Sequence, residues 1–585
     1  MYKKSSILNY KWLLKKIDER KSLYISQKYG LSDFLSKIIC SIDIDEELIN
    51  EFLNPNLENQ IPNPFQIKDM NKSVSRAIKA IEEKQKIGIL ADYDVDGSTS
   101  AAILFKFLKN FNKNIFIEIP DRLNDGYGPN LKIMEKFKSL KISLLFTLDC
   151  GTTSFDIIDN LKYKSIDTIV IDHHISEVNL PKVFSIINPN RIDNKVDFYK
   201  NLAAVGVTFL FLLALRKYLR DNNKFKSNKF KEPNLLNYLD LVALGTVCDV
   251  VDLKNYNRII VSNGINIIKK RINKGIAKLI DNSKLKKTPN ASDIGYIIGP
   301  QLNAASRMED STLPSKLLIS DDIYEIDNIS KRLFILNEKR KLIEKNIYEE
   351  ALEQASKQLQ NNIILVSGNN WHKGVLGIVA GKISEKYYKP CIVISFVNEI
   401  GYGSARSIKN FNLGKLIIEA NNNNLLISGG GHEQAAGLKI NKLKLDMFFE
   451  YLINRTKTLD PTFFRKTNYY DLDLSIDQIN FDLIENIEKM EPFGNGNEEP
   501  RFKIINASIE HVKIVKEKHL MIFIKNNFNN NLKGICFNCV DNNLGQNLLN
   551  FKSKKFHIFC SLKRDNFNDK FMPQIIIYDA ILSIN

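Results

Sequence analysis

Short apolar runs that end on an aspartate, pass through a polar turn and give way to a helix-like pattern recur in the N-terminal half of this chain. Lys86-Ile87-Gly88-Ile89-Leu90-Ala91 leads into Asp92 and an amphipathic stretch at 100–108. Residues 142–148 lead into Asp149, and Asp167-Thr168-Ile169-Val170-Ile171 leads into Asp172. Unbroken apolar runs of this length suit strands buried on both faces, and the helical patterns between them suit crossovers. The rhythm predicts a doubly wound parallel sheet, in which residues just past the strand C-termini line the ligand crevice. A fourth apolar stretch closes the same way, at Gly245-Thr246-Val247-Cys248-Asp249-Val250-Val251-Asp252.

At 585 residues the chain is too long for one core, and no fixed-period repeat divides it. Residues 1–60 read as short helices ending in a Pro/Asn-rich joint at Asn54-Pro55-Asn56 and Ile61-Pro62-Asn63-Pro64. The α/β domain then occupies 61–320. A charged stretch without Pro or Gly at 321–360 predicts a long connector helix, and a second α/β unit follows at 361–455. Alternating runs within 456–585, such as Leu520-Met521-Ile522-Phe523-Ile524 and Gln574-Ile575-Ile576-Ile577-Tyr578, predict a small β-rich domain that suits a barrel.

Other features exclude whole classes. The longest apolar run, 202–215, falls short of the ~18–20 residues that a spanning helix needs. The N-terminus is basic but lacks the apolar core and cleavage site of a secretory signal. Seven scattered cysteines argue against a disulfide framework and for a reducing compartment, so a cytoplasmic chain is expected. The net charge of +16 favours polyanionic partners through counterion release.

The aspartates carry the chemistry. Asp92 and Asp94 stand two apart at a strand end, and Gly97 permits a sharp entry into the next helix. Asp149, Asp172-His173-His174 and Asp249 fall at comparable places. Gathering several carboxylates is costly unless cations neutralise them. Carboxylates with one or two imidazoles suit Mn²⁺ or Mg²⁺ better than zinc, which draws on Cys and more His. Two such ions can activate a water and stabilise in-line displacement at phosphorus, so the residues predict a two-metal phosphoesterase.

Asp172-His173-His174, in the order Asp92-Tyr93-Asp94-Val95-Asp96-Gly97, Asp149, Asp172-His173-His174, Asp249, resembles the DHH phosphoesterase superfamily. Downstream blocks narrow the resemblance to the RecJ family of single-strand-specific DNA exonucleases, over roughly residues 50–580. These blocks are the run from Ile298-Gly299-Pro300 to Ser306-Arg307-Met308, Trp371-His372-Lys373-Gly374-Val375, Gly403-Ser404-Ala405-Arg406-Ser407, Gly429-Gly430-Gly431-His432 and Glu491-Pro492-Phe493-Gly494-Asn495-Gly496-Asn497. The last marks the start of the C-terminal region, which resembles an oligonucleotide-binding fold.

The resemblance implies metal ligation by Asp92, Asp94, Asp149, His173 and Asp249, with Asp149 bridging two Mn²⁺ or Mg²⁺ ions. It places His174 towards the scissile phosphate and makes Asp172 the orienter of the imidazoles, with a turn or supporting role for Asp96. Ser404, Arg406 and Arg122 would hold a 5′-terminal phosphate, and Tyr127 would stack on a base. Arg307 and His432 would lie near the cleaved phosphate. The implied activity is 5′→3′ hydrolysis of single-stranded DNA in repair and recombination, by a monomer with a helicase and a single-strand-binding protein as partners.

Three positions depart from the family pattern: Gln301 replaces an Arg, Ser306 a Gly and Asp252 a Pro. Gln301 would weaken a DNA or interlobe contact, and Ser306 would crowd a close backbone approach. Trp371-His372 is assigned to lobe packing or phosphate support. Cys536-Phe537-Asn538-Cys539 has zinc-like spacing but no second pair, so it is read as incidental. Rival readings are a phosphodiesterase for short oligonucleotides or cyclic dinucleotides, a pyrophosphatase and an inactive single-strand-binding scaffold. The C-terminal region speaks against the first two, and the intact carboxylates against the third.

Overall fold

Five parallel strands form the sheet at the centre of the first of two units, which comprises Pro55–Asp460 with Gly494–Gly496. In this computed structural model the described residues are 6–42, 44–61, 63–160, 163–195, 197–226, 230–285, 287–526, 531–565 and 572–583. Across the sheet the strands run Ile115–Glu118, Ile87–Ala91, Leu144–Leu148, Asp167–Ile171 and Ser185–Ile187. The three runs expected as strands are strands. Ile115–Glu118 is half-buried and Ser185–Ile187 very short, which is why neither stands out in the sequence. The strand order reverses between Ile87–Ala91 and Leu144–Leu148, and at such a switch point diverging crossovers leave a crevice at the carboxyl ends.

The fourth apolar run is not a strand. Leu239–Cys248 is a helix, and Asp249 is its C-cap. A short run that is apolar all round cannot be assigned by periodicity, because a buried helix and a buried strand look alike. The helix Ala204–Asp221 is likewise buried on nearly every face of its first three turns, so the long apolar run is core. Each fully buried Leu, Phe or Val there contributes roughly 1.5–3 kcal/mol. No described helix is long and apolar enough to cross a membrane.

Gly264 marks where Leu239–Cys248 meets Asn255–Lys269. A Cβ at Gly264 would come within 2.3 Å of the Leu239 carbonyl oxygen and 2.4 Å of the Ala243 Cβ. Gly264→Ala must push the helix bearing Asp249 aside. A loss of about 2–3 kcal/mol is expected, read as a lower urea midpoint for this unit.

Ile323–Ser356 is the connector helix, about 50 Å long, and Asp322 caps it by accepting the Tyr324 and Glu325 N–H groups. Ile326, Ile329 and Leu333 lie in the core of the parallel sheet, whereas Ile347, Ala351 and Ala355 lie in the core of the next lobe. In that lobe Ile364–Asn369 pairs parallel with Cys391–Val397, and Ile400–Arg406, Ala435–Asn441 and Ser428–His432 follow antiparallel.

The second unit joins the residues up to Asn54 with Pro461–Phe493 and Asn497–Asn585. Phe502–Val515, His519–Ile524, Leu532–Cys536, Met572–Leu582 and Lys555–Asp565 close a barrel, because the first strand pairs with both the second and the last. Register shifts at Ile504/Ala507 and Ile509/His511 bend that long strand between its two partners. Leu520, Ile522 and Ile524 point inward, the expected period of two. Among the N-terminal helices the sequence hides a strand, Lys11–Leu14, which pairs parallel with Thr467–Tyr470. Its partner lies so far along the chain that no local pattern announces it.

Candidate metal centre and anion pocket

Each acidic position is fixed by the backbone that delivers it. The Asp92 N–H donates to the Leu148 carbonyl at 3.1 Å, Asp149 N–H to Ile171 at 3.0 Å, and Asp172 N–H to Ile187 at 3.1 Å, so the three residues continue the ladder one step past the strands. Asp94 caps the helix Val95–Leu108, with Oδ1 accepting the Gly97 N–H at 3.0 Å. A Cβ at Gly97 would lie 2.3 Å from the Asp92 carbonyl oxygen, so only glycine allows this turn. Asp149 has φ of +60°, a left-handed conformation that Asp tolerates better than most residues. The Tyr127 hydroxyl donates to its carbonyl at 2.9 Å and holds it there.

The carboxylates and imidazoles converge. His173 Nε2 lies 3.2 Å from Asp149 Oδ1, 3.6 Å from Asp249 Oδ2 and 4.0 Å from Asp96 Oδ2. Three sets of potential ligand atoms lie together within 4.8 Å: Asp92, Asp94 and Asp149; Asp149, His173 and His174; and Asp96, His173 and Asp249. Asp96 differs from the others, because its two oxygens already accept the Ala204 and Val205 N–H groups at 2.6 and 2.8 Å. Those bonds anchor the helix Ala204–Asp221 to the site.

Electrostatics show how strained this gathering is without a cation. Burial, then Asp94, pushes the Asp92 carboxyl well up. Burial and four neighbouring aspartates do the same to Asp149. Asp249 is pushed up to about 9 and Asp96 to about 7, in both cases chiefly by burial. Burial, then the neighbouring His174, pulls His173 down to about 4, so it is a neutral imidazole, the form that binds metal.

Among the described residues, the buried atoms without a hydrogen-bond partner include four at this site: Asp92 Oδ1, Asp149 Oδ1, His173 Nε2 and Asp249 Oδ2. Buried polar atoms normally have partners, and these four belong to residues of the acidic clusters. Hard oxygens with one imidazole nitrogen fit divalent cations of the Mn²⁺ or Mg²⁺ kind.

A supporting shell fixes the imidazoles. Asp172 Oδ1 accepts from the His173 N–H at 2.8 Å and pairs with His174 Nδ1 at 2.8 Å, and Oδ2 accepts the Thr152 N–H at 3.1 Å. Burial opposes ionisation of Asp172, but these bonds outweigh it and hold the carboxyl below its usual range. The same pair raises His174 against the opposing effect of its own burial. His173 also bonds the Leu202 backbone, which orients Nε2.

The sequence reading missed Asn188 and Asn190, whose Nδ2 atoms donate to the His174 and His173 carbonyls. Their signal is position alone: they follow the fifth strand, Ser185–Ile187.

Arginines gather nearby. Arg307 Nη1 donates to the Gly374 carbonyl at 3.0 Å, and Arg122 packs 4.8 Å over the Tyr93 ring. Burial, then Arg122, Arg340 and Arg406, pulls the Arg307 guanidinium down to about 9; burial and Arg122 lower Arg406. Partly buried like charges that lower one another in this way suit an anion. Ser404 and Arg406 lie on the strand Ile400–Arg406 against the first turn of the helix Leu376–Tyr387. A Cβ at Gly377 would stand 2.9 Å from Ser404 Oγ and 3.2 Å from Arg406 Nη2. Arg340, on the connector helix and bonded to Glu344 at 2.8 Å, was not singled out in the sequence.

The remaining residues find varied places. The Tyr127 ring is half-exposed and meets His174 edge-on, with centroids 5.7 Å apart. His432 is exposed at the end of Ser428–His432. Trp371 is buried, donates to Glu350 at 2.9 Å and packs lobe against connector helix, whereas His372 Nδ1 accepts the Gly374 N–H at 3.1 Å. Gln301 points inward, donating to Ser283 Oγ at 2.8 Å and the Ile297 carbonyl at 2.9 Å, and Ser306 is buried within its helix. Cys536 and Cys539 are buried and join no described cluster of three potential ligands.

Comparison with known proteins adds an independent line. Family models match in three stretches: the N-terminal domain of the DHH family at residues 86–246, the DHHA1 domain at 358–458 and the RecJ OB domain at 470–579. The chain is 33% identical to the single-stranded-DNA-specific exonuclease RecJ of Salmonella typhimurium over 481 residues, covering 79% of this chain and 82% of that one. It is 28% identical to RecJ of Bacillus subtilis over 582 residues, covering 98% and 71%. Among solved structures, Thermus thermophilus RecJ in complex with Mn²⁺ shares the fold, with a TM-score of 0.80 at 23% identity over 98% of this chain and 80% of that one. An exonuclease RecJ bound to manganese matches with a TM-score of 0.59 at 27% identity, over 68% of this chain and 96% of the other. The strand-end acids, the paired histidines and the closed barrel thus sit in a chain that belongs to the RecJ family of single-stranded-DNA-specific exonucleases, within the DHH phosphoesterases.

Proposed function

We propose that this protein hydrolyses single-stranded DNA from the 5′ end, at a two-metal centre formed by Asp92, Asp94, Asp149, His173 and Asp249. The observation that carries this reading is the convergence of four unpartnered buried atoms of potential ligands beside the grouped arginines. Asp92, Asp94 and Asp149 would hold one ion, and Asp149, His173 and Asp249 the other. Mn²⁺ or Mg²⁺ bound there supplies the positive charge that makes a water acidic and neutralises phosphodiester oxygens.

The chain's own groups do the rest. Asp172 fixes the His174 ring, and the proton it favours on that ring is available to a phosphate oxygen. Arg307 neutralises the same phosphate from the lobe interface, and His432 closes on it from the edge of its sheet. Ser404, Arg406 and Arg122 grip the terminal phosphate, and the exposed face of Tyr127 stacks on a base without reading it. The net charge of +16 supports a polyanionic substrate. A monomer working in the cytoplasm on strands delivered by a helicase and a single-strand-binding protein completes the reading.

The test is Mn²⁺-supported digestion of 5′-labelled and 3′-labelled single strands beside a blunt duplex. Early release of the 5′ label from the single strand alone is the expected result; first release of the 3′ label, or equal cutting of the duplex, overturns it. Arg406→Ala should erase at least about tenfold of the preference for a 5′-phosphate over a 5′-hydroxyl end, through KM rather than kcat.

A further inference from the structure

The turn that follows Asp249 is held by a residue from far along the chain. Val250 has φ of +61°, a left-handed backbone that a β-branched residue adopts at a cost of about 1–3 kcal/mol. Asn495 holds it in place. Its Nδ2 donates to the Val250 carbonyl at 2.9 Å and to Asp252 Oδ1 at 2.8 Å, and its carbonyl accepts the Leu253 N–H at 2.7 Å.

The glycines on either side make this approach possible. A Cβ at Gly494 would lie 2.6 Å from Leu253 Cδ1; one at Gly496, which has φ of +70°, would lie 2.9 Å from Asp252 Cβ. Segment Gly494–Gly496 belongs to the same unit as the acidic site.

Asp249 is therefore fixed from both sides. Before it, its N–H closes the helix by donating to the Gly245 carbonyl at 2.9 Å. After it comes the Val250 turn under Asn495. Asp249 Oδ2, 3.6 Å from His173 Nε2, has no hydrogen bond of its own, so the backbone on either side sets its aim. Asp252 stands where the family pattern has Pro, and a proline could not accept the second Asn495 bond. We infer that Asn495, acting through the Val250 carbonyl and Asp252, is a positioning residue that sets how tightly the Asp249 side of the centre binds a divalent cation. The inference rests on Asp249 being a ligand.

Mn²⁺ binding to the full-length protein without DNA, followed by the electron paramagnetic resonance of free Mn²⁺, tests it. Asn495→Ala should weaken one of two Mn²⁺ equivalents about tenfold and leave the other unchanged. Asp252→Asn keeps the acceptor oxygen and should change neither by more than about twofold, whereas Asp252→Ala should fall between. The Mn²⁺ needed for half-maximal cleavage should shift in parallel, with the maximal rate recovered at high Mn²⁺. If Asn495→Ala and Asp252→Ala lower the melting temperature but bind both equivalents as the wild type does, Asn495 only buttresses the fold and the inference is wrong. An Asp249→Ala control that also keeps both equivalents would place the failure in the ligand reading instead.

Discussion

Asp149→Ala is expected to lower single-strand cleavage by about 10⁴-fold, or ~5.5 kcal/mol in barrier height, while the protein stays folded. Asp149 is common to two of the clusters of potential ligands, and its Oδ1 lies 3.2 Å from His173 Nε2. Removing it deprives both halves of the centre at once. The same carboxylate is pushed far above its usual range by burial and by Asp96, Asp94, Asp92 and Asp249. Taking it away relieves repulsion, which offsets the roughly 1 kcal/mol that Ala loses at a φ of +60°, so the metal-free variant should melt close to the wild type. Lost activity with an unchanged or raised melting temperature separates a chemical role from a structural one. A variant that keeps more than about a tenth of wild-type activity would refute the two-metal reading.

Metal removal should make the protein progressively less stable as pH rises. Asp249 and Asp96 have folded values of about 9 and 7 against an ordinary 3.8, so between those limits the folded state holds more protons than the unfolded one. Stability then falls with increasing pH, from about pH 4 through the folded values. A cation reverses the sign, because it binds the ionised carboxylates and displaces their protons. The apparent Mn²⁺ dissociation constant should drop at least about tenfold per pH unit between pH 6 and 8. Calorimetry in buffers of different ionisation enthalpy should count one or more protons released per ion. A pH-independent affinity, or metal-free protein that gains stability towards pH 9, would contradict the electrostatics of the cluster.

Much of the site was legible because a parallel sheet turns sequence into position. Once an apolar run is read as a buried strand, the acid at its end must lie at the crevice, and Asp92, Asp149 and Asp172 follow without further information. Asp249 shows where that logic stops. It reaches the site from the end of a helix, and its preceding run looked like a strand only because burial on all sides erases the period. Asn188 and Asn190 stayed hidden behind a strand three residues long. The gathering of Arg122, Arg307 and Arg406 has no local signature, since each comes from a different element; the family resemblance alone named them. The strand Lys11–Leu14 and the Asn495 bonds share that cause, because both depend on partners hundreds of residues away.

The connector helix has a consequence for the product. Its first half is embedded in the core of the parallel sheet, and its second half in the core of the lobe that carries Ser404 and Arg406. Helices stretch little, and sliding this one would strip apolar side chains from one core or the other. If Ser404 and Arg406 hold a strand end as proposed, the span from there to the acidic centre is a length built into the scaffold. With a strand end seated in one and the bond to be broken in the other, every cut should release a piece of the same size whatever its bases. A substrate held that way would be measured by a rigid ruler, and indifference to sequence would follow from geometry.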